Sequence, residues 1–287
     1  MNVLVTGANG QLGNELKRLS DKESAIDFCF TDIEELDITD PGAIKKFLDQ
    51  NPQDHIINCA AYTAVDQAEK EEEKAYELNL EAVQLITREC LERNIQLIHF
   101  STDFVFDGSR NRPYKENVKP NPISVYGKSK HAGEEYIRGM QTGIIIRTSW
   151  LYSSFGNNFV KTIIRLGRER DVLKVVFDQT GTPTYAGDLA QTIIHMINKI
   201  GKPAGSPVHD IFHYSNEGVC SWFDLASQVI HFMGIECRIE PIETKDFPTP
   251  AIRPIYSVLN KSKIRSWLDI EIPYWTHSLK KCCAELT

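Results

Sequence analysis

Three evenly spaced glycines follow the first apolar run of the chain, and this turn constrains the fold more than any other feature. The run Val3–Val5 leads into Thr6-Gly7-Ala8-Asn9-Gly10-Gln11-Leu12-Gly13, after which a helical pattern begins. Missing Cβ atoms allow a tight turn, close approach of backbone N–H groups to a pyrophosphate, and packing of helix on strand. The free N–H groups of the helix favour phosphate oxygens. The turn therefore predicts a dinucleotide-binding βαβ unit.

Asp32 strengthens this prediction. It closes the next β-rich run 19 residues after Gly13, close to the offset of about 20 residues expected for an acid that binds the adenosine ribose. An acid at this position accepts hydrogen bonds from the ribose 2′-hydroxyl and repels a 2′-phosphate. This preference favours NAD over NADP. The alternatives are that Asp32 only caps a turn, or that Asp37 takes its place.

Short apolar runs alternate with longer helical patterns through the first half of the chain. The predicted strands lack polar alternation, as expected when both faces of a parallel sheet are buried. The fold class is thus α/β, a Rossmann-like doubly wound parallel sheet, with one long charged helix expected over about 65–94. We expect residues 1–147 plus about 178–214 to form the NAD(P)-binding domain, and about 148–177 plus 215–287 to form a smaller substrate-binding lobe.

Composition excludes several other classes. The formal net charge is −7, without a long basic run, which disfavours nucleic-acid binding. The seven cysteines have no zinc-ligand spacing, so no metal ligand is assigned and free thiols in a reducing compartment are expected. No signal peptide and no run of about 20 apolar residues is evident, so we expect a cytoplasmic protein that does not enter membranes.

Tyr126 and Lys130 form the strongest catalytic signal. Their Y-x-x-x-K spacing puts a phenol and an ammonium on one helix face. A nearby cation is expected to lower the pKa of the phenol and make it a usable acid. Thr102 follows the predicted strand 96–101, at the edge where parallel sheets bind ligands, and can donate to a substrate carbonyl. A strand-end cap is the alternative role for Thr102.

The ordered motifs resemble a known family almost from end to end. VTGANGQLG, NCAAYTAVDQAE, STDFVFDG, YGKSK, RTSWLY, GNNF, GTPTYAGDLA and RPIYSVLNKSK occur in succession. The chain resembles the extended short-chain dehydrogenase/reductase family and, within it, the dTDP-4-dehydrorhamnose reductases. The resemblance implies NAD(P)H-dependent reduction of the C4 keto group of dTDP-4-dehydro-6-deoxy-L-mannose to dTDP-L-rhamnose, and a dTDP-sugar as substrate.

The resemblance also implies roles for individual residues. Thr102, Tyr126 and Lys130 match the catalytic residues. The cofactor would contact the glycine turn, two acids and the residues that line its cleft: Gly7, Gly10, Gln11, Leu12, Gly13, Asp32, Asp37, Ile38, Ala60, Ala61, Tyr62, Tyr126 and Lys130. Asp103 and Trp150, together with Thr102, would face the sugar nucleotide. Family members accept NADH or NADPH, which weakens the preference inferred from Asp32.

Two further assignments are weaker. Arg253 precedes Pro254 in RPIYS and is our candidate for the substrate diphosphate, because guanidinium holds phosphate oxygens in bidentate fashion; a surface loop arginine is the alternative. Glu15 matches one acidic position of relatives that are Mg²⁺-linked dimers, but a solvated helix residue explains it equally well. Mg²⁺ and a homodimer therefore remain open.

Two other functions remain as alternatives. A nucleotide-sugar epimerase or dehydratase would use the same scaffold, although dehydratases tend to carry an acid where Phe104 follows Thr102-Asp103. A non-catalytic regulator resembling the β subunit of methionine adenosyltransferase would bind a partner enzyme instead. The intact Tyr126 and Lys130 favour a reductase over both.

Overall fold

Strands and helices alternate along the chain in the computed structural model, which describes residues 1–201 and 208–286. The first half contains β1 (Asn2–Thr6), α1 (Gln11–Ser20), β2 (Asp27–Thr31), α2 (Pro41–Gln50), β3 (His55–Asn58), α3 (Val65–Ala68), α4 (Glu72–Tyr76), α5 (Ala82–Arg93), β4 (Gln96–Thr102), α6 (Val125–Ile137) and β5 (Gly143–Thr148). The second half contains β6 (Leu151–Tyr152), α7 (Phe159–Glu169), β7 (Val172–Val176), β8 (Thr180–Gly181), β9 (Thr184–Tyr185), α8 (Ala186–Ile200), β10 (Asp210–His213), β11 (Cys220–Ser221), α9 (Trp222–Met233), β12 (Arg238–Ile242), α10 (Ser262–Leu268) and α11 (Trp275–Ala284).

Six of the strands form one parallel sheet in the order β10-β5-β4-β3-β1-β2. The strand order reverses between β1 and β3, which is where open α/β sheets bind ligands, at the carboxyl ends of their strands. The in-register pairs Thr6–Asn58 and Asn58–His99 lie near this switch point. The predicted Rossmann-like doubly wound fold is confirmed.

The single long helix expected over 65–94 is wrong. The chain leaves the helix after Ala68, re-enters it at Glu72, and forms a π-helical turn over Glu77–Glu81 before α5. The buried Asn79 lies within this π-helical turn. Its side chain accepts from the Tyr62 backbone N–H and donates to the Tyr62 carbonyl, each at 3.0 Å. The turn thereby fixes the loop after β3 beside α6.

The hydrophobic residues form separate clusters on the two faces of the sheet and in the C-terminal half. α1, α8 and α10 cover one face, α2 and α5 the other. α7, β7, α9 and α11 enclose a further cluster. The division into two domains stays a prediction, and its segment 178–214 includes residues 202–207, which lie outside the described part. None of the helices in the described ranges has the length and hydropathy of a membrane span.

Candidate functional site

The glycine turn after β1 forms a cradle that side chains would fill. Gly7 has φ of +64°, and a Cβ there would lie 2.5 Å from the backbone nitrogen of Ala60. Gly10 is the N-cap of α1, and no described side chain caps the helix. The first-turn N–H groups are therefore free to bind phosphate oxygens. This geometry fits the pyrophosphate of a nicotinamide cofactor.

Two adjoining clefts meet at this turn, and the first, of about 610 Å³, lies over the ends of β1 and β2. It contains the predicted adenosine-side residues: Gly7, Gly10, Asp32, Asp37, Ile38, Ala60, Ala61 and Tyr62. The Asp32 carboxylate accepts from the backbone N–H of Asn9 at 2.8 Å and from that of Ile33 at 2.9 Å. Asp32 thus also organises the turn, the alternative role considered for it, while facing the cleft.

The second cleft, of about 700 Å³, shares Gly10, Cys59 and Ala61 with the first. It brings together the remaining predicted residues of the site: Gln11, Leu12, Gly13, Thr102, Asp103, Tyr126, Lys130, Trp150 and Arg253. Residues from α1, β4, α6 and the C-terminal half therefore line one continuous groove beside the glycine turn.

Gly127 lets the helix that carries the tyrosine approach the end of β4. A Cβ at Gly127 would lie only 2.3 Å from the Phe104 carbonyl oxygen. Ser124 caps α6 by accepting from the Gly127 N–H at 3.1 Å. This close packing places Tyr126 beside Thr102, and the glycine in Tyr126-Gly127-Lys128 has a structural purpose that its spacing alone does not reveal.

The Tyr126 hydroxyl is protonated at neutral pH. Burial raises the pKa of Tyr126 to about 12; a hydrogen bond with Thr102 opposes this shift and the charge of Asp103 adds to it. The sequence argument predicted the opposite direction, with Lys130 lowering this pKa. In the structure desolvation outweighs any such effect. Burial likewise raises the pKa of Asp103 to about 6. The Tyr126 hydroxyl therefore holds a proton at neutral pH, but its raised pKa makes it a weaker acid than a free phenol.

Lys130 contacts the first of a series of buried polar side chains that sequence analysis missed. Its Nζ lies 3.3 Å from His99 Nε2, and His99 Nδ1 lies 3.2 Å from Asn58 Nδ2. Thr6 Oγ1 donates to Asn58 Oδ1 at 2.8 Å. Burial, and then the Lys130 charge, hold the pKa of His99 well below its usual value, so the imidazole is neutral. Burial also lowers the pKa of Lys130 to about 8.

A fully buried ion pair lies one helical turn beyond the lysine. Arg147 donates from Nε and Nη2 to the two carboxylate oxygens of Glu134, at 2.8 and 2.6 Å, and neither side chain is exposed. Burial alone raises the pKa of Glu134, but the hydrogen bonds from Arg147 and His131 leave it below its ordinary value. The pair joins α6 to β5, and the Glu134 charge opposes the lowering of the Lys130 pKa.

Stacked indoles form one wall of the second cleft. Trp150 and Trp222 have ring centroids 3.5 Å apart and planes inclined by 8°. Trp150 has φ of +45°, which is rare outside glycine, and a Cβ at Gly181 would lie 2.6 Å from its Cε2. Trp222 Nε1 donates to Gln179 Oε1 at 3.2 Å. Trp222 lacked any signal in the sequence beyond its aromatic character.

Glu15 does not fit a magnesium site. It is buried, so the alternative of a solvated helix residue is wrong as well. Its carboxylate accepts from Ser153 Oγ at 2.6 Å and pairs with Arg18, which also pairs with Glu285. A guanidinium therefore already lies between the two carboxylates and pairs with both. No cluster of three or more His, Cys, Asp or Glu side chains suited to a metal occurs within residues 1–201 and 208–286. A homodimer stays a prediction.

Exhaustive removal of divalent cations is accordingly expected to leave this region intact. Dialysis against EDTA should change neither the melting temperature nor the rate of NADPH oxidation with substrate, and adding Mg²⁺ afterwards should restore nothing, because Arg18 supplies the positive charge between the carboxylates. Differential scanning calorimetry measures the melting temperature, and NADPH absorbance measures the rate. A melting temperature that rises with Mg²⁺ concentration would contradict it.

Comparison with known proteins agrees with this geometry. A family described as RmlD substrate binding domain matches residues 1–287. The dTDP-4-dehydrorhamnose reductase of Aggregatibacter actinomycetemcomitans is 40% identical over 286 residues, covering 97% of each chain. The structure of a dTDP-4-dehydrorhamnose reductase from Clostridium acetobutylicum superposes with a TM-score of 0.93 at 38% identity, covering 100% of this chain and 99% of that one. The Bacillus anthracis dTDP-4-dehydrorhamnose reductase in complex with NADP gives 0.91 at 39% identity, covering 99% of each. The chain therefore belongs to the RmlD substrate binding domain family.

Proposed function

We propose that this protein is an NAD(P)H-dependent oxidoreductase that reduces the C4 keto group of dTDP-4-dehydro-6-deoxy-L-mannose and forms dTDP-L-rhamnose. Relatives that cover nearly the whole chain are dTDP-4-dehydrorhamnose reductases, and one of them was solved with NADP. The observation that carries the proposal is the grouping of Thr102, Tyr126 and Lys130 in one cleft with the glycine turn.

The cofactor is proposed to span both clefts. Its pyrophosphate would be held by the turn from Gly7 to Gly13, where free helical N–H groups and missing Cβ atoms support close approach. Its adenosine half would contact Asp32, Asp37 and Ile38, with Ala60, Ala61 and Tyr62 on the opposite side. When bound, it supplies the hydride for the substrate carbon.

The side chains around the carbonyl supply the proton and the orientation. Tyr126 donates its proton to the developing alkoxide, for which a pKa of about 12 keeps the group protonated beforehand. Thr102 donates a hydrogen bond to the carbonyl oxygen and polarises it. Lys130, with a pKa of about 8, remains mostly charged at pH 7, so it stabilises the phenolate left behind and holds the nicotinamide ribose.

The C-terminal half is proposed to supply most of the substrate side of the cleft. Trp150, stacked on Trp222, would pack against the sugar nucleotide, and Asp103 would contact the sugar near Thr102. Arg253 would bind the diphosphate. This assignment follows the predicted substrate-binding lobe and explains why one groove draws residues from both halves of the chain.

Turnover measured with the proposed substrate tests the function. The assay adds dTDP-4-keto-6-deoxy-L-mannose, made enzymatically from dTDP-glucose, and follows the absorbance of NADPH. A reductase consumes one NADPH per dTDP-L-rhamnose formed. An epimerase or dehydratase would convert substrate without net NADPH loss, and a regulator that only binds a partner would produce no change; either result would refute the proposal.

Cofactor preference is expected to depend on the Asp32 carboxylate. Asp32→Asn keeps an oxygen that can accept from the Asn9 N–H but removes the charge that repels a 2′-phosphate. The ratio of kcat/KM for NADPH to that for NADH should rise on the order of tenfold. The exposed Glu34→Gln, outside the cleft lining, is the control. If Asp37→Asn alone changes the ratio, Asp37 is the discriminating acid instead.

A further inference from the structure

Asp66 holds Arg253 at the edge of the second cleft. Nη1 donates to Asp66 Oδ1 at 3.0 Å and Nη2 donates to Asp66 Oδ2 at 2.6 Å. Asp66 Oδ1 also accepts from the backbone N–H of Ala251 at 3.2 Å. One carboxylate on α3 therefore fixes both the guanidinium and the backbone of a loop from the C-terminal half.

The way in which Arg253 is bound leaves one edge of its guanidinium available. Nη1 donates further to Thr249 Oγ1 at 2.7 Å and to the Ala251 carbonyl at 3.2 Å, so its hydrogens are fully used. Nε has no hydrogen-bond partner among residues 1–201 and 208–286. Nε and the second Nη2 hydrogen lie on the same side of the planar group and form a two-donor fork. Such a fork matches two oxygens of a phosphate.

Both sides of this contact are anchored. Glu69, the C-cap of the same short helix, accepts from the backbone N–H of Val125 at 2.9 Å, directly before Tyr126. Beyond Arg253, the Thr180 N–H donates to the Ile255 carbonyl, and the Ser257 N–H donates to the Thr180 carbonyl, each at 2.8 Å. Helix α3 and its C-cap thus link the start of α6 to Arg253 across the cleft.

From these contacts we infer that Asp66 is a positioning residue, which presents the free edge of Arg253 to the diphosphate of the nucleotide sugar at a fixed separation from Tyr126. The inference rests on the proposed function, since it assumes a substrate that carries a diphosphate. An unrestrained arginine loses rotamer freedom when it is immobilised, and a guanidinium ordered in advance avoids part of that loss.

Repulsion between the Asp66 carboxylate and the diphosphate opposes the benefit of ordering Arg253. The solvent exposure of Asp66 decides which of these two effects is larger. The Asp66 side chain is 41% exposed, so water screens its charge, and its nearest counter-charge is Arg253 itself. The hydrogen bond from Arg253 lowers the pKa of Asp66 below its ordinary value, which keeps the carboxylate charged and bound to the arginine at neutral pH. Ordering of the guanidinium therefore outweighs the repulsion.

The test compares ligands with and without phosphate on Asp66→Asn. Binding of dTDP, measured by isothermal titration calorimetry, should weaken on the order of tenfold, and KM for the nucleotide sugar should rise in parallel while kcat changes little. Inhibition by thymidine, which lacks phosphate, and binding of NADPH should stay as in the unmodified protein. Glu240→Gln, which removes one partner of the exposed Arg238–Glu240 pair outside both clefts, should change none of these values.

A double variant shows whether Asp66 acts through the arginine. Arg253→Ala alone should weaken dTDP binding at least as much as Asp66→Asn, and Asp66→Asn added to Arg253→Ala should have no further effect. Tighter dTDP binding by Asp66→Asn would mean that repulsion dominates and would overturn the inference. Equal losses for thymidine and dTDP would overturn it too, since they indicate a general structural role. These outcomes are independent of turnover by the unmodified protein, which tests the proposed function.

Discussion

Tyr126→Phe is expected to lower kcat by about two to four orders of magnitude, while the protein still binds NADPH. The substitution removes only the hydroxyl that is proposed to protonate the alkoxide formed at C4, and that hydroxyl is protonated at neutral pH. The ring can keep its edge-to-face contact with Phe104, at 5.8 Å between centroids, so α6 should stay in place. Stopped-flow measurement of NADPH oxidation and fluorescence titration of NADPH separate chemistry from binding.

The same helix offers a matched control. Tyr136 also lies on α6, but its side chain is exposed and outside both clefts. Tyr136→Phe removes the same atom and should leave kcat unchanged. Near-normal turnover by Tyr126→Phe would rule out the assigned role, and loss of NADPH binding would show that the change had damaged the cofactor site instead.

Arg147→Met is expected to cost about 3–5 kcal/mol of stability at pH 7, because it leaves the buried Glu134 carboxylate without its partner. Urea unfolding followed by circular dichroism measures this. The effect depends on pH. The folded protein lowers the pKa of Glu134 below 4.5, so the pair stabilises the fold above that value and this contribution is lost as the pH falls. In Arg147→Met, burial raises the same pKa, and the penalty should shrink towards pH 4.

Two further variants isolate the buried charge as the cause. Glu134→Gln combined with Arg147→Met removes the unpaired charge and should recover part of the lost stability. Arg165→Met breaks an exposed pair with Glu169 and should cost no more than about 1 kcal/mol. If Arg147→Met were as mild as Arg165→Met, burial would not be the source of the effect.

Local sequence signals were sufficient to locate the site because each one is confined to a few adjacent residues. The glycines at 7, 10 and 13 follow the first strand, and Tyr126 and Lys130 lie one helical turn apart. Parallel strands bring their carboxyl ends to one edge, so a position at the end of β4 was enough to place Thr102 beside this pair. The predicted cleft residues therefore lie together in the structure, while their chemical roles remain proposals.

Contacts between distant segments were not predictable in this way. His99 stands between Ile98 and Phe100, where a polar residue in an apolar strand was the available signal that a partner lies nearby. Its partner Lys130 and the pair Asp66–Arg253 are brought together by packing of separate elements. The predicted direction of the Tyr126 pKa shift was wrong for a related reason. Burial depends on the whole fold, and spacing along one helix carries no information about it.

The strained Trp150 has an evolutionary consequence. Its indole rests against a position where any Cβ would collide with it, so a side chain at 181 requires that Trp150 first be replaced or displaced. A single methyl group at 181 would push the indole from its place in the stack without adding an atom to the ligand-facing surface. Selection for a different hexose could thus act on a residue hidden behind the pocket, and the order in which substitutions arise at these two positions would be constrained.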